Sequence, residues 1–174
     1  LKFIEHFNER KRAISDKIHL NFRSKNIWVA SSTHDKEEIF CAKTHIILKK
    51  KYKNLTTIII PRHINRVKEI VSEIKKLNLE IELHSKPKKG LKNADIYIVD
   101  TFGETKKFFN ISPTVFLGGS IARKGGQNPL EAARYGAKIL HGPNIDNFKD
   151  VYGLLNSLNI SKKIKSPKEL ASSI

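Results

Sequence analysis

Residues 55–63 read Leu-Thr-Thr-Ile-Ile-Ile-Pro-Arg-His, and this stretch decides the fold class. Its first six residues are mostly β-branched, and the run stops at Pro61. Apolar residues then recur at helical spacing, from Ile64 through Val71 to Leu77. The stretch therefore predicts a buried strand followed directly by a helix.

The same strand-then-helix unit recurs along the chain. Ile27 to Ser31 is another short apolar run, and Asp35 with Glu38 three residues later predicts a capping box at the start of the next helix. Strands are predicted at 27–31, 55–60, 79–83, 95–99, 114–117 and 138–140, with helices at 36–51, 64–77, 103–109, 128–136 and 147–158. This alternation predicts an α/β domain with a parallel sheet of about six strands, covered by helices on both faces.

The composition suits one globular domain: the chain has 174 residues, of which 39% are hydrophobic. Residues 1–26 form a basic, loosely amphipathic lead-in segment, and residues 27–174 form the predicted domain. The sequence contains no Met, so we expect it to be a piece of a longer protein. No apolar run is long enough to span a bilayer, so we expect this piece to be soluble. Cys41 has no second cysteine to pair with, and we expect it to be buried.

The net charge of +16 predicts attraction to anions, whether polyanions, acidic membranes or anionic substrates. The chain has no pattern of stacking aromatic residues and no recognition helix, so we do not expect nucleic-acid binding, although a basic nucleic-acid-binding module is retained as an alternative. Scattered histidines and one cysteine provide no metal site. Nucleophile-elbow and phosphate-loop motifs are also missing, so no catalytic residue is assigned.

Polar residues follow the predicted strands, where ligands bind in parallel α/β sheets. The polar and glycine-rich segments that follow the strands are Ser31 to His34, Pro61 to His63, Asp100 to Glu104, and Gly118 to Ser120 running on to Glu131. The fixed fork of Arg62 suits a phosphate or carboxylate, although pairing with a neighbouring carboxylate is an alternative. Each histidine is either a ligand or acid–base group, or an ordinary loop histidine.

The loop 118–131 contains two glycine pairs, Arg123 and Lys124, and then Asn128-Pro129-Leu130-Glu131. Asn, Pro and Glu at these positions start a helix well, and simple capping is one interpretation. The glycines favour the other, in which backbone N–H groups approach a phosphate near the helix start. Glu131 would then accept hydrogen bonds from a ribose diol, so the pattern predicts a nucleotide site.

Taken together, these motifs resemble the C-terminal half of the Kdo transferases, which move 3-deoxy-D-manno-octulosonic acid (Kdo) from CMP-Kdo to the lipid A precursor of lipopolysaccharide. The segments that carry the resemblance run from Ile27 to Phe148: Ser31-Ser32-Thr33-His34 with Glu37-Glu38, Pro61-Arg62-His63, Asp100-Thr101-Phe102-Gly103-Glu104, Phe116-Leu117-Gly118-Gly119-Ser120, Gly125-Gly126-Gln127-Asn128-Pro129-Leu130-Glu131 and Gly142-Pro143.

The resemblance implies one half of a GT-B glycosyltransferase, a Rossmann-like three-layer domain that binds the donor CMP-Kdo without a metal or other cofactor. Its implied donor-site residues are Pro61, Arg62, His63, Phe102, Gly103, Glu104, Gly118, Gly119, Ser120, Asn128 and Glu131, with Ser32, Thr33, His34, Arg123 and Lys124 as secondary contacts. Glu131 would hold the ribose, Arg62 the CMP portion, and Phe102 to Glu104 would border the cytosine.

The catalytic carboxylate and the acceptor site would belong to an N-terminal domain that this chain lacks, so we expect the fragment alone to be inactive. The whole enzyme is expected at the cytoplasmic face of the bacterial inner membrane, against anionic lipid. The alternative enzyme is another GT-B protein that uses a nucleotide sugar, or a UDP-sugar epimerase.

Overall fold

The computed structural model describes residues 22–87 and 93–174. The predicted lead-in segment therefore lies largely outside the described residues. The strands are β1 (Asn26–Thr33), β2 (Leu55–Pro61), β3 (Ile81–Leu83), β4 (Ile96–Ile98), β5 (Thr114–Leu117), β6 (Lys138–His141) and β7 (Ser161–Lys163). The helices are α1 (Glu37–Lys49), α2 (Val67–Lys75), α3 (Thr105–Phe109), α4 (Leu130–Arg134), α5 (Lys149–Ser157) and α6 (Pro167–Ser173), with short 3-10 turns at Ile64–Arg66 and Asp146–Phe148.

The strands of the described residues form one parallel sheet of seven strands, in the order β3-β4-β2-β1-β5-β6-β7. This confirms the predicted α/β class with a parallel sheet. From β1 the chain first builds the sheet toward β2 and β4, and later returns to place β5 on the other side of β1. The strand order thus reverses between β1 and β5. Open parallel sheets bind their ligands at such a topological switch point.

Successive residues of each central strand point to opposite faces of the sheet and fill two cores. Trp28, Ile59 and Phe116 pack with α1 and α2 on one face. On the other face, Tyr97 and Phe108 pack together with Phe22, whose ring lies 5.3 Å from that of Tyr97. The end of the segment assigned to the lead-in therefore contributes to the core of the domain.

The predicted capping box of Asp35 and Glu38 is wrong. Lys36 precedes α1 with a φ of 70°, and no side chain caps the helix in the way predicted. Glu38 instead points inward, where its Oε1 accepts hydrogen bonds from Thr33 and Arg66. These tertiary partners outcompete a local cap because they lie in the buried interior, where an unpaired carboxylate is costly.

A membrane-spanning helix requires about 20 apolar residues. Among residues 22–87 and 93–174, no helix is both long and apolar enough to meet that requirement.

Candidate functional site

The candidate residues lie at the carboxyl edge of the sheet, in four loops and at the ends of the strands and helix that adjoin them. These loops follow β4, β2, β1 and β5, which are adjacent strands in that order. The sheet therefore brings together segments that are far apart in sequence, such as Ser32 to His34, Arg62 and His63, and Gly118 to Lys124. The loops after β1 and β5 flank the point where the strand order reverses.

The glycine loop after β5 is organised around the buried carboxylate of Glu37. Its Oε2 accepts hydrogen bonds from the amides of His34 at 2.9 Å and Gly119 at 2.8 Å. The other oxygen, Oε1, accepts from the amides of Ser120, Ile121 and Ala122 at 3.1, 2.8 and 3.1 Å. A carboxylate of the protein itself therefore occupies the place where a bound anion would meet these amides.

Gly118 lets this carboxylate come close to the loop. A Cβ on Gly118 would lie 2.7 Å from Glu37 Oε2 and 2.7 Å from the Cα of Thr33, and it would also collide with the backbone oxygen of Ser32. The absence of a side chain at this position is thus a steric requirement of the packing between the loops after β1 and β5.

Backbone amides without a partner lie further along the loop. Within the described residues, the amides of Gly125, Gln127 and Asn128 donate no hydrogen bond. Asn128 Oδ1 accepts at 3.0 Å from the amide of Leu130, the first residue of α4, although the N-cap residue is Pro129 and not Asn128 as the sequence predicts. The part of the loop suited to a phosphate is therefore 125–128 rather than 119–122.

Two predicted site hydroxyls bond to the protein interior. Ser120 is fully buried, and its Oγ donates to the backbone oxygen of Leu117 and accepts from the amide of Gly142. Thr33 is also fully buried and donates to Glu38 at 3.0 Å. Both hydroxyls hold the loops in place.

A cluster of basic and imidazole groups lies beside the glycine loop. The rings of His34 and His63 are 5.6 Å apart, and His34 Nε2 lies 3.5 Å from Gln127 Nε2. Burial lowers the pKa of His34 and outweighs the opposing effect of Glu37, which favours the neutral ring. In the described part of the chain, the exposed guanidinium of Arg62 forms no ion pair.

Arg66 forms the carboxylate pairs that were considered for Arg62. Its guanidinium contacts Glu38 at 3.1 Å, Asp35 at 3.3 Å and Glu69 at 3.5 Å. Burial raises the pKa of Glu38, although Arg66 and Thr33 act in the opposite direction. Arg66 thus fixes the segment after β2 to the start of α1.

A second group of candidate residues lies between α3 and α4. Glu131 contacts Lys106 at 3.4 Å through a side chain that is 46% exposed, and Glu104 contacts Lys107 at 2.6 Å. Phe102 is 77% exposed, which is unusual for so large an apolar ring. The contact between Lys106 and Glu131 thus brings α3, which follows the segment after β4, next to α4.

The two groups of candidate residues flank the glycine loop from different sides. A cavity of 520 Å³ lies on the side of His34, His63 and Lys124, and neither Glu131 nor Arg62 lines it. The predicted nucleotide contacts of Arg62 and Glu131 therefore remain predictions.

Several relevant residues were not assigned roles from sequence. Glu37 opens a helix, where acidic residues are favoured by the helix dipole, so its tertiary role has no distinct sequence signal, and Glu38 was assigned from sequence only to a capping box. Ser31 Oγ in β1 and Thr101 Oγ1 after β4 are buried and have no hydrogen-bond partner among the described residues. Within the same residues, no three His, Cys, Asp or Glu side chains are grouped to hold a metal ion.

Comparisons with known proteins relate this chain to one group of enzymes. It is 32% identical over 129 residues to the 3-deoxy-D-manno-octulosonic acid transferase of Haemophilus influenzae, covering 74% of this chain and 30% of that protein. It is 32% identical over 158 residues to the enzyme of that name from Rickettsia prowazekii, covering 91% of this chain and 34% of that protein. The chain thus spans about a third of the length of these relatives. No family model matches the chain.

The fold has a counterpart among solved structures. The C-terminal CMP-Kdo binding domain of WaaA from Acinetobacter baumannii superposes with a TM-score of 0.83, at 21% sequence identity, over 97% of this chain and 87% of that one. This similarity supports the assignment of the parallel α/β architecture.

Proposed function

The chain belongs by sequence to the family of the 3-deoxy-D-manno-octulosonic acid transferases, and we propose that it is the donor-binding domain of such an enzyme. In this proposal it binds CMP-Kdo, and an N-terminal domain supplies the acceptor site and the catalytic base. The whole enzyme transfers Kdo to the lipid A precursor of lipopolysaccharide without a metal. The observation that carries the proposal is the sequence identity to these transferases over most of the chain.

Glu131 is the proposed ribose ligand. Its contact with Lys106 involves two substantially exposed side chains. Such a pair is worth at most about 1 kcal/mol, so little is lost when the carboxylate turns to accept hydrogen bonds from ribose hydroxyls. The exposed ring of Phe102 provides a nearby apolar surface for the cytosine base.

The proposed phosphate site is the segment 125–128, with its unpaired amides. The α4 helix begins directly after it, and Arg62 is available without an ion pair among the described residues. The proposal thus assigns the phosphate to backbone amides and a cation, and the sugar of the nucleotide to a carboxylate.

Calorimetric titration with CMP and UMP tests the proposal. We expect CMP to bind with a dissociation constant below about 1 mM and more tightly than UMP. Glu131→Ala should weaken CMP binding about tenfold, because one charge-assisted hydrogen bond is worth about 1.5–3 kcal/mol. The control Glu73→Ala removes a carboxylate from α2 and should leave CMP binding unchanged.

Two results would contradict the proposal: a folded domain that binds neither nucleotide below about 1 mM, or one that prefers UMP. The second result would favour the alternative of another nucleotide-sugar enzyme.

We also propose that the whole enzyme works at the cytoplasmic face of the inner membrane, in contact with anionic lipid. The net charge of +16 supports this proposal, because a basic surface is attracted to anionic headgroups.

A further inference from the structure

The cavity beside the glycine loop lies at the point where the strand order of the sheet reverses, between the loops after β1 and β5. It has a volume of 520 Å³, within the range of about 300–1,000 Å³ that is typical of small-molecule sites. His34 lines it from the loop after β1, and Ile121 to Lys124 line it from the loop after β5. Parallel α/β sheets bind their ligands at this position.

The cavity is strongly basic. Arg123 and Lys124 line it with exposed side chains, and neither forms an ion pair within the described ranges. The acidic group at its edge, Asp35, already contacts Arg66 at 3.3 Å. An anionic group that enters the cavity therefore meets two cations without an ion pair, and the carboxylate in the lining, Asp35, is already paired with Arg66.

Backbone amides contribute little to this cavity. The amides of Ile121 and Ala122 face Glu37 Oε1, at 2.8 and 3.1 Å. Recognition of an anion here therefore depends on side chains, in contrast to the segment 125–128. Gln127 connects the segment 125–128 with the cavity, because its side-chain Nε2 lies 3.5 Å from Nε2 of His34.

We propose that this cavity binds the carboxylate of the donor's sugar acid, with Arg123 and Lys124 as the specificity-determining residues. The inference rests on the proposed function. A CMP-activated 2-ulosonic acid carries two anionic groups close together, because the carboxylate is attached to the anomeric carbon that also bears the phosphate. The neighbouring segment 125–128 is assigned to the phosphate, and the adjoining cavity accommodates the second anion.

The test compares CMP with CMP-Kdo in calorimetric titrations of the full chain. We expect the wild-type protein to bind CMP-Kdo at least about tenfold more tightly than CMP, because of the added charge-assisted contacts. Arg123→Gln and Lys124→Gln should each lower the affinity for CMP-Kdo more than the affinity for CMP, so that the difference between the two ligands shrinks. Both side chains are exposed, so neither variant disturbs the core.

Lys168→Gln is the matched control, since it makes the same charge change on α6, at an exposed position outside the cavity. It should change neither affinity. Equal affinity of the wild-type protein for CMP and CMP-Kdo would overturn the inference while leaving the proposed function intact. Equal losses of CMP and CMP-Kdo binding in Arg123→Gln or Lys124→Gln would also overturn the inference and leave the proposed function intact. Failure of the folded protein to bind either ligand would overturn both.

Discussion

At the scale of residues, Glu37 shows how one buried side chain shapes a binding loop. Its carboxylate accepts five backbone N–H groups, four of them from residues 119–122. A carboxylate with several amide donors remains stable when buried, because the hydrogen bonds replace its hydration. Glu37 thus holds the first half of the glycine loop and leaves its second half for ligand contacts.

Gly118→Ala tests this close packing. The added Cβ would meet Glu37 and two backbone atoms that cannot move without shifting a loop. We expect a loss of about 1–3 kcal/mol in the free energy of unfolding, measured by urea denaturation. The control is Gly153→Ala, where nothing lies within 4 Å of the added Cβ in α5. That change should stabilise the protein by about 0.5–1 kcal/mol, and an equal loss in both variants would contradict the steric argument.

At the scale of elements, buried polar contacts join helices and strands below the site. Asp95, just before β4, pairs with Lys49 at the end of α1 and lies 3.5 Å from His45. Its second oxygen accepts from the amide of Glu80 at 2.9 Å, before β3. Burial acts to raise the pKa of Asp95, but the contact with His45 and the hydrogen bonds from Lys49 and the amide of Glu80 outweigh it, so the pKa lies well below its usual value.

This pKa shift predicts acid sensitivity. A carboxylate with a depressed folded-state pKa stabilises the protein above its unfolded pKa of about 3.9, and that stabilisation is lost as pH falls below this value. Between about pH 5 and pH 3, the free energy of unfolding should fall less steeply in Asp95→Asn than in the wild type. Urea denaturation at several pH values measures this slope. Asp150→Asn, at an exposed position of α5, should retain the wild-type slope, and identical slopes in all three proteins would contradict the prediction.

Two elements were not identified from sequence. β7 is Ser161–Lys163, which lacks apolar periodicity and becomes a strand through its pairing with β6 at the sheet edge. The α6 helix begins with a capping box, in which Ser166 Oγ accepts from the amide of Glu169 at 3.1 Å and the Glu169 carboxylate accepts from the amide of Lys165. That box has the spacing that was predicted, incorrectly, for Asp35 and Glu38.

At the scale of the whole molecule, the chain combines two hydrophobic cores with a net charge of +16. Such a charge attracts anionic surfaces. Salt screens this attraction, and the screening length is about 8 Å at physiological ionic strength. Binding to an anionic membrane would therefore supplement the specific recognition of the donor at the carboxyl edge of the sheet.

Vesicle flotation tests this surface attraction. The chain should float with vesicles that contain anionic phosphatidylserine at about 50 mM salt and be released at about 0.5 M salt, because each well-placed cation contributes about 1 kcal/mol that salt screens. Vesicles of neutral phosphatidylcholine are the control and should not bind it. Equal flotation with both vesicles, or none with either, would contradict the proposed role of charge.

The sequence by itself determined the fold class and the candidate loops, because apolar runs and helical periodicity depend on neighbouring residues in the chain. The local bond at the start of α4 also follows from sequence, since Asn128 and Leu130 are two residues apart, although the N-cap is one residue later than predicted, at Pro129. The tertiary structure alone decided that Glu37 meets amides 82–85 residues away, and that Arg66 rather than Arg62 pairs with carboxylates. Such contacts depend on which strands become neighbours in the sheet. The local periodicity of a sequence does not predict this strand order.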